Sequence, residues 1–200
     1  MLNRKDAAEF FLKVFSETIK YREKNNGIVR NDFVELLIQM KAKGLLSLKE
    51  MAAESFIFYV GGFHTTASLM NFILYELAMN QNVQKKLRGE ISEMLNQNTG
   101  KLSYEGLTEM KYLDMVVSEG LRKYPPIYVV TRKCTQEYKI PNSNLVIPKG
   151  TQVTIPVYSL QRDPQYFPDP EKFNPERFSE ENVRNIRSFT YLPFGKVLYH

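Results

Sequence analysis

One cysteine and two histidines in 200 residues leave little material for disulfide or metal chemistry. Cys134 alone excludes an internal disulfide framework and fits a reducing compartment. His64, His200 and Cys134 have no zinc-like ligand spacing. No Gly-x-Ser-x-Gly elbow is present to hold a nucleophilic serine. The stretch from Asn98 to Ser103 resembles the end of a phosphate loop, but Leu95 stands where its first glycine belongs. Long apolar runs are also lacking. The most apolar, Phe56 to Phe63, has eight residues, and His64, Thr65, Thr66, Ser68 and Asn71 follow it. A spanning helix needs about 20 mostly apolar residues, so this stretch predicts a buried helix of a soluble domain. The N-terminus is charged early and then amphipathic, which is not a signal-peptide pattern. Net charge is a modest +5, and the clusters at Lys20-Tyr21-Arg22, Lys85-Lys86 and Arg132-Lys133 are interrupted by acids. They read as solvated helix faces rather than a nucleic-acid stripe.

What is present is a core-forming composition. Hydrophobic residues make up 43% of the chain and aromatics 12%, enough for one domain or a large part of one. Phe10, Phe11, Val14, Phe15, Thr18 and Ile19 recur at helical spacing, and Asn25-Asn26-Gly27 ends that helix. Phe33, Leu36, Leu37 and Met40 form the stripe of a second helix after Asn31-Asp32, ending at Gly44. Ser47 and Glu50 make a capping box for a long helix over about 47–80. Another helix spans Asn82 to Leu95, and Thr108 caps one that runs over about 109–123 until Pro125-Pro126 ends it. Composition then changes. Tyr138 to Ile155 predicts short, antiparallel strands with turns at Asn142-Ser143-Asn144 and Lys149-Gly150. Seven of the ten prolines lie between Pro141 and Pro175, in an extended, aromatic-pinned region. The chain reads as mainly α with a small β region, an α+β arrangement. It divides into a mostly helical part over 1–126, a strand region over 127–157 and an extended loop over 158–200.

Three features call for a cause. Gly61 and Gly62 sit inside the long helix, where each costs roughly 1 kcal/mol relative to alanine. A helix crossing that needs small residues is one reading. The other is a helix locally opened so that something flat, or a small molecule, lies against its backbone, with the Thr65 hydroxyl facing the vacated space. Glu119 and Arg122 share a helix face. Alone they read as a surface pair, but Leu113, Val116, Val117 and Leu121 predict a largely buried helix, where such a pair needs further partners. Arg177, in Asn174 to Phe178, is a fork donor able to complete that pair, or else a surface arginine in a turn.

Taken in order, Gly-Gly-Phe-His-Thr-Thr at 61–66, Glu119-x-x-Arg122, Pro175-Glu176-Arg177-Phe178 and Pro193-Phe194-Gly195 resemble cytochrome P450, the haem-thiolate monooxygenases. "LRKYPP" and "FPDPEKFNPERF" look most like the microsomal class and its insect detoxifying branch. The resemblance covers about residues 8 to 195. It implies haem b as cofactor, an apolar small-molecule substrate, and insertion of one oxygen atom of dioxygen into it. It also implies electrons from NADPH through NADPH-cytochrome P450 reductase, and an endoplasmic reticulum membrane location for full-length family members. By the same resemblance, Gly62 is the glycine that lets the central helix bulge over the haem. Thr65 is the distal threonine that hydrogen-bonds bound dioxygen. Glu119, Arg122 and Arg177 form a buried structural triad. Arg132 pairs a haem propionate, Ile127 to Thr131 border the substrate pocket, and Phe194 and Gly195 open the haem-ligand loop.

Two departures qualify these expectations. The family usually carries an acid before the distal threonine to relay protons; here it is His64, which titrates near neutral pH and can also relay. The family's ligand loop reads Phe-x-x-Gly-x-Arg-x-Cys. Counted from Phe194, its glycine falls on Val197, its arginine on Tyr199 and its axial cysteine on a residue 201 beyond His200. Cys134 lies in the strand region and is an ordinary packed residue by this resemblance. His200 is a poor ligand because terminal residues are seldom held in place. The expectation is a partial chain, without the family's front half or a membrane segment of its own. It is inactive without the thiolate whose donation favours O–O cleavage, or else acts as a binding or decoy protein. Lost sheet partners would leave open strand edges and marginal stability.

Overall fold

A computed structural model describes residues 4–25, 30–98 and 100–195 of the chain. It resolves into two compact units, residues 1–67 and residues 68–200. The expected helix stop at Asn26-Gly27 and the positions from Lys196 to His200 lie outside the described residues.

In the first unit, helices α1 (Arg4–Lys24) and α2 (Phe33–Ala42) pack with the first part of α3 (Leu48–Met79). Ile19, Leu37 and Met51 form the buried centre. Asp32 caps α2 by accepting the Glu35 amide at 3.1 Å. The capping box at the start of α3 is formed as its sequence predicts. The Ser47 amide donates to Glu50 Oε2 at 2.8 Å, and the Glu50 amide donates to Ser47 Oγ at 3.3 Å.

One expectation fails here. The Phe56–Phe63 stretch is not buried: Ile57, Phe58 and Phe63 are 63%, 60% and 62% exposed. The stretch is apolar around its whole circumference, whereas α1 and α2 cover only one side of it. Phe33 stacks on Phe58 at 4.3 Å, and Phe11 meets Phe56 and Tyr59 at 5.4 and 5.5 Å. By length and composition α3 is also long and apolar enough to cross a membrane.

The second unit contains the end of α3, α4 (Gln81–Gln97), α5 (Tyr104–Glu109), α6 (Lys111–Lys123) and the strands. Its core joins Leu77, Leu87, Tyr112, Val116 and Phe173. Two antiparallel ladders follow α6. β1 (Val130–Lys133) pairs with β4 (Gln152–Ile155), Arg132 opposite Val153; β2 (Tyr138–Lys139) pairs with β3 (Val146–Ile147). After the one-turn helix α7 (Val157–Leu160), the chain has two 3-10 turns, Pro175–Phe178 and Val183–Asn185. The mainly helical architecture with small sheets is the one the sequence predicts.

Thr108 does not cap the Glu-x-x-Arg helix. It lies in α5, which Ser103 caps, and its hydroxyl donates to the Glu105 carbonyl at 2.7 Å. Helix α6 begins at Lys111, and Glu90 from α4 accepts the Tyr112 and Leu113 amides at 2.7 and 2.9 Å. A carboxylate from another helix thus satisfies the first-turn amides, and its charge suits the helix N-terminus.

Candidate functional site

Glu119 and Arg122 lie one turn apart on α6, facing the core, and both are fully buried. Arg122 Nε and Nη2 donate to the two Glu119 carboxylate oxygens at 2.7 and 3.0 Å. Burial of such a pair is costly unless the remaining donors and lone pairs are used. Here they are. Arg122 Nη1 donates to the Gln161 carbonyl and Nη2 to the Pro170 carbonyl, both at 2.7 Å. Glu119 Oε1 also accepts the Asn174 amide at 2.9 Å.

Arg177, on the first 3-10 turn, comes to the same carboxylate. Its Nε stands 3.5 Å from Glu119 Oε1, an ion-pair distance without hydrogen-bond alignment, and its Nη2 donates to the Asp169 carbonyl at 2.7 Å. The three charged residues singled out in the sequence are therefore one cluster. Closely packed Gly120, between them in sequence, faces α3: a Cβ there would lie 2.5 Å from Ile73 Cγ1.

Arg132 and Gly195 are also neighbours. Gly195 has φ +74°, and a Cβ built on it would lie 3.9 Å from Arg132 Nη2. The Gly195 amide donates to the Leu192 carbonyl at 3.1 Å, closing the turn that carries Phe194, which is 76% exposed. Arg132 is exposed on β1 and donates from Nη1 to its own strand's Thr131 carbonyl at 2.9 Å. Among the described residues no carboxylate pairs with it, so its guanidinium offers further donors to an anion. A carboxylate-bearing cofactor could be held by this donor set, a fork cation beside a glycine turn.

Gly62, His64 and Thr65 belong to the first unit and are exposed on α3. The helix is continuous through them rather than opened. The Thr65 hydroxyl turns back to the Gly61 carbonyl one turn earlier, which satisfies that hydroxyl without breaking the ladder. A Cβ on either Gly61 or Gly62 would meet no atom within 4 Å, so both leave open backbone. Gly62 also borders an apolar cavity of about 450 Å³ lined by Phe15, Phe33, Phe58 and Phe63. Ile127 and Val129 are exposed before β1. Cys134 is half-buried, its thiol donating to the Gln136 carbonyl at 2.8 Å.

Gln161 was not legible as a site residue. It is fully buried, and its side chain bonds both to the end of α6 and to the Leu192 amide. Its setting, "SLQRDP", carries no periodicity or spacing that marks a buried amide.

A family model described as Cytochrome P450 matches residues 2–196 of the chain. The chain is 45% identical over 198 residues to "Probable cytochrome P450 6a13" of Drosophila melanogaster, covering 98% of this chain and 40% of that protein. It is 42% identical over 215 residues to "Cytochrome P450 6k1" of Blattella germanica, covering 96% of this chain and 41% of that protein. With "Cytochrome P450 6l1" of the same cockroach it shares 44% over 191 residues, 95% of this chain and 38% of the other. The chain thus spans about two fifths of the length of these curated relatives.

Proposed function

Because the chain belongs to the cytochrome P450 family, we propose that it serves haem-dependent monooxygenation of an apolar small molecule. In this reading haem b supplies dioxygen activation, with electrons delivered from NADPH by a reductase at the endoplasmic reticulum membrane. The observation that carries the reading is the nearness of the Arg132 guanidinium to Gly195. In this reading the Arg132 fork cation would meet a haem propionate beside the Leu192–Gly195 turn. Glu119, Arg122 and Arg177 hold the core beneath that turn without touching substrate. By the family pattern, Gly62 would leave the α3 backbone open, and Thr65 and His64 would be the groups that hold and move protons. The Thr65 hydrogen already sits on the Gly61 carbonyl, so its oxygen lone pairs remain available to accept.

A chimera tests this. Residues 1–195 replace the matching stretch of cytochrome P450 6k1, whose own loop then follows Gly195. With reductase, NADPH and an apolar probe, the reading expects oxygen-dependent product. It expects loss of haem retention in Arg132→Ala and retained turnover in His64→Glu. A chimera that binds haem normally in Arg132→Ala contradicts the propionate role.

Val197 and Tyr199 favour a second reading, since they stand where the family pattern has glycine and arginine. In that reading a polypeptide of this sequence binds without catalysing, as a competitor for the reductase. Inhibition of a reductase-dependent relative by the 200-residue chain tests it, and no inhibition at excess chain rejects it.

A further inference from the structure

The last four carbonyls of a helix have no partner within it and must find one elsewhere. At the end of α6 all four do. The Tyr124 amide donates to Gly120 at 2.8 Å. Gln161 Nε2 donates to Leu121 and Arg122 at 3.1 and 2.9 Å. Arg162 Nη2 donates to Lys123 at 2.8 Å. Pro125 follows, so the helix cannot continue, and a side-chain cap from a distant turn replaces the usual glycine cap.

The other end of the same carboxamide is used too. Gln161 Oε1 accepts the Leu192 amide at 2.7 Å. Two N–H groups facing carbonyls and one oxygen facing an amide also fix which way round the carboxamide sits. Its backbone is held as well, the Gln161 carbonyl accepting Arg122 Nη1 at 2.7 Å. Leu192 is the first residue of the turn closed by the Gly195 amide, and Gly195 lies beside Arg132. Pro193 carries no amide hydrogen. The Leu192 amide is therefore the donor through which the start of this turn is fixed, together with the Tyr191 hydroxyl, which donates to the Ser118 carbonyl at 3.1 Å.

We propose that Gln161 is the positioning residue that sets where the Leu192–Gly195 turn sits on the end of the Glu119–Arg122 helix. One buried carboxamide couples the charged cluster to the loop entrance. Its meaning for catalysis rests on the reading that this turn faces haem.

Hydrogen exchange at the Leu192 amide of the 200-residue chain tests the tether without haem. In Gln161→Leu, Leu192 should exchange at least about 10-fold faster, the equivalent of about 1.4 kcal/mol. The Val116 amide, inside α6, should change less than about threefold on the same scale. Unchanged Leu192 exchange in folded Gln161→Leu overturns the proposal. If that variant fails to fold, Gln161→His decides. Its ring has one N–H to donate and one nitrogen to accept, so it must protect Leu192, and fast exchange in folded Gln161→His overturns the proposal. In the haem-loaded chimera, Gln161→Leu should lose the thiolate signature of the ferrous–carbonyl spectrum. If the unsubstituted chimera lacks that signature, the haem reading fails while the exchange result still stands for the tether.

Discussion

Arg122 grips both carboxylate oxygens of Glu119, at 2.7 and 3.0 Å, and neither side chain reaches solvent. Every remaining Arg122 nitrogen bond goes to a backbone carbonyl, of Gln161 or of Pro170. The pair therefore joins α6 to two later turns of chain, and its removal is felt well beyond the helix.

Breaking one side of it leaves an unpaired buried charge. Arg122→Leu should destabilise the chain by about 3–5 kcal/mol, whereas Arg122→Leu with Glu119→Gln should cost clearly less than the sum of the singles. Urea denaturation reads both. A single-variant loss below about 1 kcal/mol is the value for an exposed pair and would refute the burial argument.

Gly120→Ala should lower stability although alanine is the better helix former. The gain of about 1 kcal/mol in propensity is opposed by the new Cβ, which would sit 2.5 Å from Ile73 Cγ1 and 2.8 Å from its Cδ1. Overpacking costs about 1–3 kcal/mol. In an Ile73→Ala background, the added loss from Gly120→Ala should shrink in the same thermal melt. Stabilisation by Gly120→Ala alone contradicts the contact.

Asp32 has two tasks, capping α2 and accepting Arg22 Nη1 at 2.7 and 2.8 Å. The Arg22 hydrogen bond foremost, and then the Glu35 amide, hold its carboxyl below the usual range. Asp32→Asn keeps the cap and gives up the charge and one of the two Arg22 contacts, so it should cost less than Asp32→Ala, which loses a cap worth about 1 kcal/mol as well. Equal losses in the two variants would mean that the cap contributes nothing.

Tyr191 gives the chain an alkaline limit. Burial pushes its phenol from 10.0 up to about 12. The folded state therefore holds this proton where the unfolded chain has released it. The contribution is complete below pH 10 and lost as pH rises towards 12. Stability should fall across that window, and Tyr191→Phe should flatten the fall. An identical slope in Tyr191→Phe would assign the alkaline loss to other groups.

Helices α1, α2, α4 and α6 are legible because their apolar spacing is a local signal, and Ser47–Glu50 is a complete signature within four residues. Thr108 misled because capping depends on which residue faces the free amides, and Glu90 reaches those of α6 from another helix. The exposure of Phe56–Phe63 is not legible for a related reason: apolar composition states what a helix tolerates around it, not what covers it. The Glu119–Arg122 cluster emerged from helix spacing plus a later arginine. Gln161 stayed hidden, since its three bonds join residues 31 to 40 positions away, and no pattern in its own neighbourhood records them.

The central claim is that Arg132 and the Leu192–Gly195 turn form one edge of a haem site held up by Glu119 and Arg122. The ferrous–carbonyl absorption spectrum of the chimera carrying residues 1–195 tests it most directly. The account predicts a thiolate-ligated haem spectrum in the parent and its loss, with haem itself, in Glu119→Ala. A chimera that folds as stably as the relative yet retains the same spectrum in both Glu119→Ala and Arg132→Ala would contradict it.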